Sequence, residues 1–582
     1  MRRIPAIAAL ALCVTAIFWR LDGVPLWRDE ATTAVWGRLM AESGAWLPYA
    51  FDREAGQLLV QDDDGHDINS HLLPAMQSYL QFYVSAAGHW LFGSGTLPAR
   101  LPFALFGLGC LALLWSLGRR LGGPRWLPLA LPVIASVSIY FLHAARQGRY
   151  YILVVFATLL LLLQVARYLR DPALGRKWSF HCQLCLVGCL LYAGNYLSFA
   201  ATWLALGIFL LLTDRPALVR LCGTSAVLAV VLGAEFWLLH AEYLTEWRPG
   251  SEQSFWENFR YVVSRRGADY WRWVPFLVLA PAMALIGRWS KLDIPRAGWI
   301  LAALGAAAPV LGFVISESWL RRTPDLTFVL FGLVFLCLPA AAFYLWRRIE
   351  EPGVHAKMAL LAGLIVAVCP LFTIAVAGRA TLPRYYYQAC PAAIVLVGLA
   401  AAGLDRVGRR RTAVACLVGA SLWPNLELAG GGTEQVVLRQ FLRYDDHNGP
   451  LLEFLESNTR PGQTIAYVRN VKGMVGNYYL PDRRWVNLLD SEVAYNKRFR
   501  DLIPADQFDD SPDPDWIVVW DAKGKQPKAL DSRYDLVWER SYRELRSYWG
   551  LDREPRERGY AIHQLDRGAS SARGDAESGL QP

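Results

Sequence analysis

The sequence predicts a polytopic α-helical membrane protein with a soluble C-terminal α/β domain. Three observations predict it. Of the 582 residues, 54% are hydrophobic and 24 are Trp, a balance too apolar for a soluble chain of this length. Long apolar runs recur from residue 4 to about residue 429 and then stop. Beyond residue 430 the composition turns charged, and the apolar runs shorten to strand length.

The N-terminus, MRRIPAIAALALCVTAIFWR, has the charged and apolar regions of a secretory signal. No small-residue cleavage site follows it, so it reads as an uncleaved first span. A spanning helix needs about 20 mostly apolar residues. By that criterion about 13 transmembrane helices are expected, centred near residues 12, 108, 135, 159, 187, 205, 230, 281, 306, 335, 367, 394 and 420. Alternate connections are basic: 118–125, 167–177, 214–220, 287–296, 346–357 and 405–411. With Arg2 and Arg3 they define one face, cytoplasmic by the positive-inside rule. An odd number of spans puts the C-terminus on the opposite, external side. The net charge of +9 therefore belongs to topology, and no nucleic-acid partner is expected.

On the external face, residues 20–97 form a long first loop. Asp29 and Glu30 begin a helix there (EATTAVWGRLMAESG), and HLLPAMQSYLQFYVSAAGHWLFG follows. In the latter, Leu72, Leu73, Met76, Leu80, Tyr83, Val84, Ala87 and Leu91 share one stripe, while Gln77, Ser78, Gln81 and Ser85 lie elsewhere. This pattern suits a helix lying in the membrane interface. A second external loop, 241–272, is rich in Trp, Tyr and Arg, as interface anchors are.

The domains expected are a membrane domain over 1–429, an external α/β domain over 430–566 and a disordered tail over 567–582. Within the α/β domain, PLLEFLESN reads as helix, and TIAYVRN, WVNLL, DWIVVWD and YDLVWE read as short apolar runs between breakers. All ten cysteines lie in apolar segments. Cys182, Cys185 and Cys189 beside His181 read as buried small core residues rather than a metal site. No internal repeat, Walker loop or dinucleotide fingerprint is present.

Several external turns carry arginine against the topological bias: Arg146 and Arg149 in AARQGRYY, Arg321 and Arg322, and Arg379 and Arg384 in GRATLPRYYYQ. Arginine captures phosphate with two parallel hydrogen bonds. Lipid headgroups or nearby carboxylates are the competing partners. Asp29 and Glu30 are likewise open to two readings, as caps of a helix N-terminus or as site residues. Adjacent helical residues lie about 100° apart, so the two need not share a role. The acidic run Asp62, Asp63, Asp64, His66, Asp67 offers oxygen ligands for a divalent metal ion, with Asp64, His66 and Asp67 the candidates; a solvated acidic loop is the alternative.

The order of these features resembles the GT-C glycosyltransferases, in the branch of protein mannosyltransferases and lipid A aminoarabinose or galacturonosyl transferases. That pattern has a first span, an Asp-Glu helix, a His- or Lys-led amphipathic helix ending LFG, and an ALRLPSAL-type start to the next span. Here residues 70–123 read SHLLPAMQSYLQFYVSAAGHWLFGSGTLPARLPFALFGLGCLALLWSLGRRLGG. ARQGRYYILVV and LPRYYYQACPAAIVLVGLAAAGL are similar to two further family segments. Two departures stand out: His71 precedes Leu72-Leu73-Pro74 rather than a double proline, and the loop is lengthened by QDDDGHDINS.

The resemblance implies a GT-C fold and inverting transfer of a monosaccharide from a polyprenyl-phosphate carrier to a hydroxyl of a glycolipid, glycan or protein. Asp29 matches the family's catalytic base, with Glu30 orienting it or binding the sugar. His71 takes the place of a phosphate-contacting cation. Arg146, Arg149 and Arg384 are phosphate candidates, and Tyr150 and Tyr385 are candidates for lining the sugar or lipid groove. The implied setting is the bacterial inner membrane, N-terminus cytoplasmic and C-terminal domain periplasmic. The alternatives are a transporter or flippase of lipid-linked sugars, or an inactive GT-C assembly subunit.

Overall fold

The computed structural model describes residues 4–26, 28–44, 78–244, 257, 353–377, 387–406, 448–468, 473–488, 515–521, 534–544 and 556–565, with isolated positions between 408 and 417. The chain forms two compact units. One holds the described residues of 4–19 and 102–417, and the other those of 20–101 and 448–565. This grouping does not follow chain order. The boundary read at residue 429 separates the apolar from the charged sequence, whereas packing joins the first loop to the C-terminal domain.

The first unit is helical. It contains α1 (Ile4–Phe18), and α2 (Arg28–Ser43) and α3 (Leu80–Phe92) of the other unit intervene before α4 (Thr96–Leu121), whose residues up to Leu101 belong to that other unit. Then follow α5 (Leu127–Val137), α6 (Ile139–Ala145), α7 (Tyr151–Arg170), α8 (Trp178–Gly194), α9 (Tyr196–Thr213), α10 (Arg215–Leu244), α11 (Val354–Ala377) and α12 (Ala389–Arg406). Among the described residues, five stretches are long and apolar enough to cross a membrane: Thr96–Leu121, Tyr151–Arg170, Tyr196–Thr213, Arg215–Ala234 and Val354–Thr373. Shorter apolar helices lie at Ala8–Phe18, Leu127–Val137, Trp178–Gly194 and Ala389–Gly403. The protein is thus a polytopic helical membrane protein. The spans expected near 281, 306, 335 and 420 lie outside the described residues.

Helix α7 is the most enclosed of the five described long spans and packs against α6, α8, α11 and α12. Small residues let neighbouring backbones close up, as membrane helices require where no hydrophobic force drives them together. A Cβ on Gly107 would lie 2.8 Å from that of Ala145, and one on Gly118 would lie 2.7 Å from Cα of Pro128. Large apolar side chains face outward, among them Leu105, Leu186, Val219 and Val230. In water this would be a liability, but against lipid it costs nothing. Cys182 is exposed and Cys185 and Cys189 are half-buried. Cys182 therefore faces outward on α8 and the other two are partly covered, so the three do not form a buried core group, while His181 beside them is buried and bonds the Gly175 carbonyl at 2.9 Å.

The second unit combines α2 and α3 with α13 (Asn448–Asn458), β1 (Thr464–Val468), α14 (Gly473–Tyr479), β2 (Arg484–Leu488), β3 (Trp516–Asp521), β4 (Tyr534–Glu544) and β5 (Arg556–Leu565). The strands form one sheet in the order β2-β1-β3-β5-β4. Strand β1 runs parallel to β2 and β3, and β5 runs antiparallel to β3 and β4. Leu451, Leu455, Ile465, Trp485, Trp516 and Ile562 make its core. A second core joins Trp36, Val35 and Met40 of α2, Phe82 of α3, and Val475 and Tyr478 of α14.

Helix α3 packs with its polar side inward. Gln81, Ser85, Gly88 and His89 are buried, and Trp90, Leu91 and Phe92 are exposed. Gly37 permits this, because a side chain there would run into Ser85. Thr33 Oγ1 donates to Gln81 Oε1 at 3.2 Å across the contact. The outward apolar side is what a helix in a membrane interface presents.

Burial pushes the His89 imidazole below its ordinary value of 6.5; the hydrogen bond to the Gly93 carbonyl opposes this and Arg38 adds to it. The unfolded chain takes up a proton near pH 6.5 where the folded chain does not. The α2–α3 packing is therefore fully stable above that pH and weakens as pH falls below it, levelling only when the native imidazole also protonates. Thermal unfolding of the purified protein from about pH 8 to about pH 5 should show this slope, and His89→Gln should flatten it.

Candidate active site

Each unit contributes a cluster of predicted site residues. In the second unit the centre is the start of α2. Helix α2 begins at the Arg28-Asp29-Glu30 triplet, so a carboxylate at position 30 sits in the first turn, where the helix dipole favours negative charge. Glu30 is fully buried and paired with the fully buried Arg100 of α4. Arg100 Nε donates to Oε1 at 3.0 Å and Nη2 to Oε2 at 2.7 Å. The same guanidinium donates to the carbonyls of Leu21 and Val24, at 2.9 and 2.8 Å, and of Pro25, at 3.2 Å. All five N–H donors of an arginine are therefore used.

Such a site can do little proton transfer at Glu30, because both carboxylate oxygens are held in a forked ion pair away from solvent. What it can do is fix the turn over 21–26 and the first turn of α2. Position 29 lies about 100° around the helix from position 30. Its backbone is in α2, and its side chain lies outside the description.

In the first unit the turn after α6 carries the other cluster. Arg146, fully buried, donates through Nη1 to the carbonyls of Ala16 and Ile17 at 3.0 and 2.8 Å, and through Nη2 to Trp19 at 2.7 Å. These acceptors stand at and just past the end of α1. The carbonyls there have no intrahelical partners and carry the negative end of the dipole. Arg146 thus caps the end of α1. Arg149 is buried, with Cζ 5.6 Å from the centre of the Tyr150 ring. Tyr150 packs edge-on against Tyr151 at 4.6 Å.

Next to these sits a residue the sequence reading passed over. His143 Nδ1 bonds the Tyr387 hydroxyl at 2.5 Å, and its Nε2 meets the Gln147 amide nitrogen at 2.7 Å. The neutral tautomer with hydrogen on Nδ1 satisfies both contacts. The His143 ring stacks on Tyr387 and on Tyr151, at 5.6 and 6.0 Å. Gln388, adjacent in sequence, accepts from Ser198 at 3.1 Å. The structure thus joins the turn 143–151 to the segment at 387–388, two stretches the sequence marked independently for their arginines. His71, Arg384, Tyr385, Asp64, His66 and Asp67 lie outside the described residues. Among the described residues no group of three or more metal-ligating side chains occurs.

No family model matches the chain, and no curated protein does. Among solved structures, it is similar to ArnT from Cupriavidus metallidurans bound to undecaprenyl phosphate, at 14% identity over 96% of this chain and 98% of that one, with a TM-score of 0.44. The apo state of the same protein gives 16% identity over 95% and 97%, with a TM-score of 0.46. Arabinofuranosyltransferase AftD from Mycobacteria is similar over 97% of this chain and 40% of that one, at 13% identity and a TM-score of 0.38.

Breaking one partner of the Glu30–Arg100 pair leaves an uncompensated buried charge, at a cost of about 3–5 kcal/mol. Glu30→Gln alone and Arg100→Met alone should each lower the unfolding midpoint of the purified protein sharply. The double variant buries no net charge and should recover part of the loss. A double variant no better than the sum of the singles would show that the two side chains do not act as a pair.

Proposed function

We propose that the protein is an inverting glycosyltransferase of the GT-C type, moving a monosaccharide from a polyprenyl-phosphate carrier to a hydroxyl acceptor. The observation that carries the reading is the Asp-Glu turn at the start of α2. Its glutamate is held by an arginine at the head of the next long apolar helix, in the order the sequence resemblance specifies. A turn held by five arginine hydrogen bonds is a rigid mount, and rigidity is what a catalytic carboxylate needs.

In this reading the acceptor oxygen attacks the anomeric carbon while Asp29 takes the hydroxyl proton. The bond from that carbon to the phosphate oxygen breaks, and the polyprenyl phosphate leaves with the bonding electrons. A positioned base supplies about 10²–10⁴-fold, and fixed cations stabilise the departing phosphate. Glu30 orients the base through the backbone. Arg149 and Tyr150, with His71, Arg384 and Tyr385, are the candidate phosphate and carrier contacts. The acceptor is a glycolipid such as lipid A, another envelope glycan or a protein. The site faces the periplasm of a bacterial inner membrane, with the N-terminus cytoplasmic. A divalent ion on the acidic run 62–67 is an optional addition, and no step depends on it.

Mass spectrometry of envelope lipids and glycans, with and without the protein, identifies the sugar and acceptor together. Restoring the gene as Asp29→Asn should leave the modification missing, with transfer reduced about 10²–10⁴-fold and the protein present at normal levels in the membrane. Full restoration by that variant would overturn the assignment of the base.

A further inference from the structure

We infer that the C-terminal domain is a positioning element of the carboxylate site, acting through a tyrosine clamp on the segment that leads into α2. The inference rests on the function proposed above, and its residues lie wholly within the second unit.

The clamp is built on Leu26, three residues before Asp29. Its peptide N–H donates to the Tyr479 hydroxyl at 2.9 Å, and its carbonyl accepts from the Asn448 side-chain amide at 3.3 Å. Both main-chain groups of one loop residue are thus taken by side chains more than 400 positions away. Tyr479 Oη also shares a hydrogen with Thr96 Oγ1 at 2.6 Å, in the first turn of α4. Tyr478 Oη accepts from the Gly95 N–H at 3.0 Å and donates to the Gly95 carbonyl at 2.7 Å. Arg38 of α2 reaches back, donating through Nη1 to the Tyr478 carbonyl at 2.9 Å, with its guanidinium carbon 5.5 Å from the centre of the Tyr478 ring.

These contacts complement those of Arg100. Arg100 takes the carbonyls of Leu21, Val24 and Pro25, and Tyr479 and Asn448 take the N–H and the carbonyl of the next residue, Leu26. Loops ordinarily satisfy such groups with water, and water would leave the turn free to shift. Burial pushes both phenols up, so the hydroxyls remain intact hydrogen-bonding groups at any physiological pH. An error of about 1 Å at a reacting group can cost as much as 10²-fold, so a clamp one turn from the base reaches the chemistry without touching substrate.

The test removes one oxygen. Tyr479→Phe keeps the ring and its packing while deleting the hydroxyl, and Tyr478→Phe is the parallel variant. Hydrogen–deuterium exchange on the purified full-length protein should show faster exchange in peptides covering 20–36 in Tyr479→Phe, with the strands of the sheet unchanged. With host lipid extract as the donor pool, maximal transfer should fall about tenfold while the half-saturating amount of extract stays the same. Unchanged exchange over 20–36 would overturn the clamp, whether or not the protein transfers sugar. Faster exchange with undiminished transfer would overturn the positioning role. A wild-type protein that transfers nothing from the extract would count against the proposed function instead, and the exchange result would still decide the clamp.

Discussion

The buried Glu30–Arg100 pair is the constraint on which the first loop depends. Arg100 stands one turn into α4 and satisfies five acceptors, three of them carbonyls of an otherwise irregular segment. A guanidinium taken out of water is tolerable only when every donor is used and its charge is matched. That requirement works in both directions. The arginine organises the turn at 21–26, and the turn makes the arginine affordable in an apolar setting.

From that anchor the second unit grows outward by shared surfaces. Helix α2 offers Trp36 and Val35 to Phe82 of α3 on one side, and to Val475 and Tyr478 of α14 on another. Gly37 sets the approach of α3 so closely that the polar face of α3 becomes the buried one. The consequence is an apolar face turned outward, with Trp90, Leu91 and Phe92 exposed. A soluble domain would avoid such a surface. A loop domain that rests on lipid has reason to present it.

Much of this architecture was legible in the sequence, and the misses have physical causes. Long spans such as α4, α7 and α11 announce themselves because length and apolarity are local properties. Strands β1 to β4 were equally visible as short apolar runs between breakers. Helix α14 was not: GMVGNYY has two glycines in seven residues and no helical periodicity, so its helix owes more to packing than to propensity. The part of the stripe from Leu80 to Leu91 lies on one helix, with Leu72, Leu73 and Met76 outside the described residues, but which face is buried depends on Gly37 of a different helix. In the site, the Asp-Glu turn was visible as a pattern. Arg100 as the partner of Glu30, Tyr479 and Asn448 as those of Leu26, and Tyr387 as that of His143 were not, because they arrive from 70 to more than 400 residues away.

Arg146 carries a more general point about reading membrane sequences. The positive-inside rule makes a cation on a face read as external a sign of an anionic ligand. Yet a first span with a cytoplasmic N-terminus has its C-terminus on the external side, where unpaired carbonyls and the negative end of the dipole gather. Such an end attracts a cation for reasons internal to the helix, and Arg146 meets that need at α1. The same argument applies at the outer end of every outward-running span. An external arginine therefore argues for a phosphate only after the helix ends around it have been satisfied. By that stricter criterion Arg146 has a structural reason to be where it is, whatever else it binds. Arg149, whose guanidinium lies against the Tyr150 ring, becomes the foremost of the phosphate candidates whose surroundings are described.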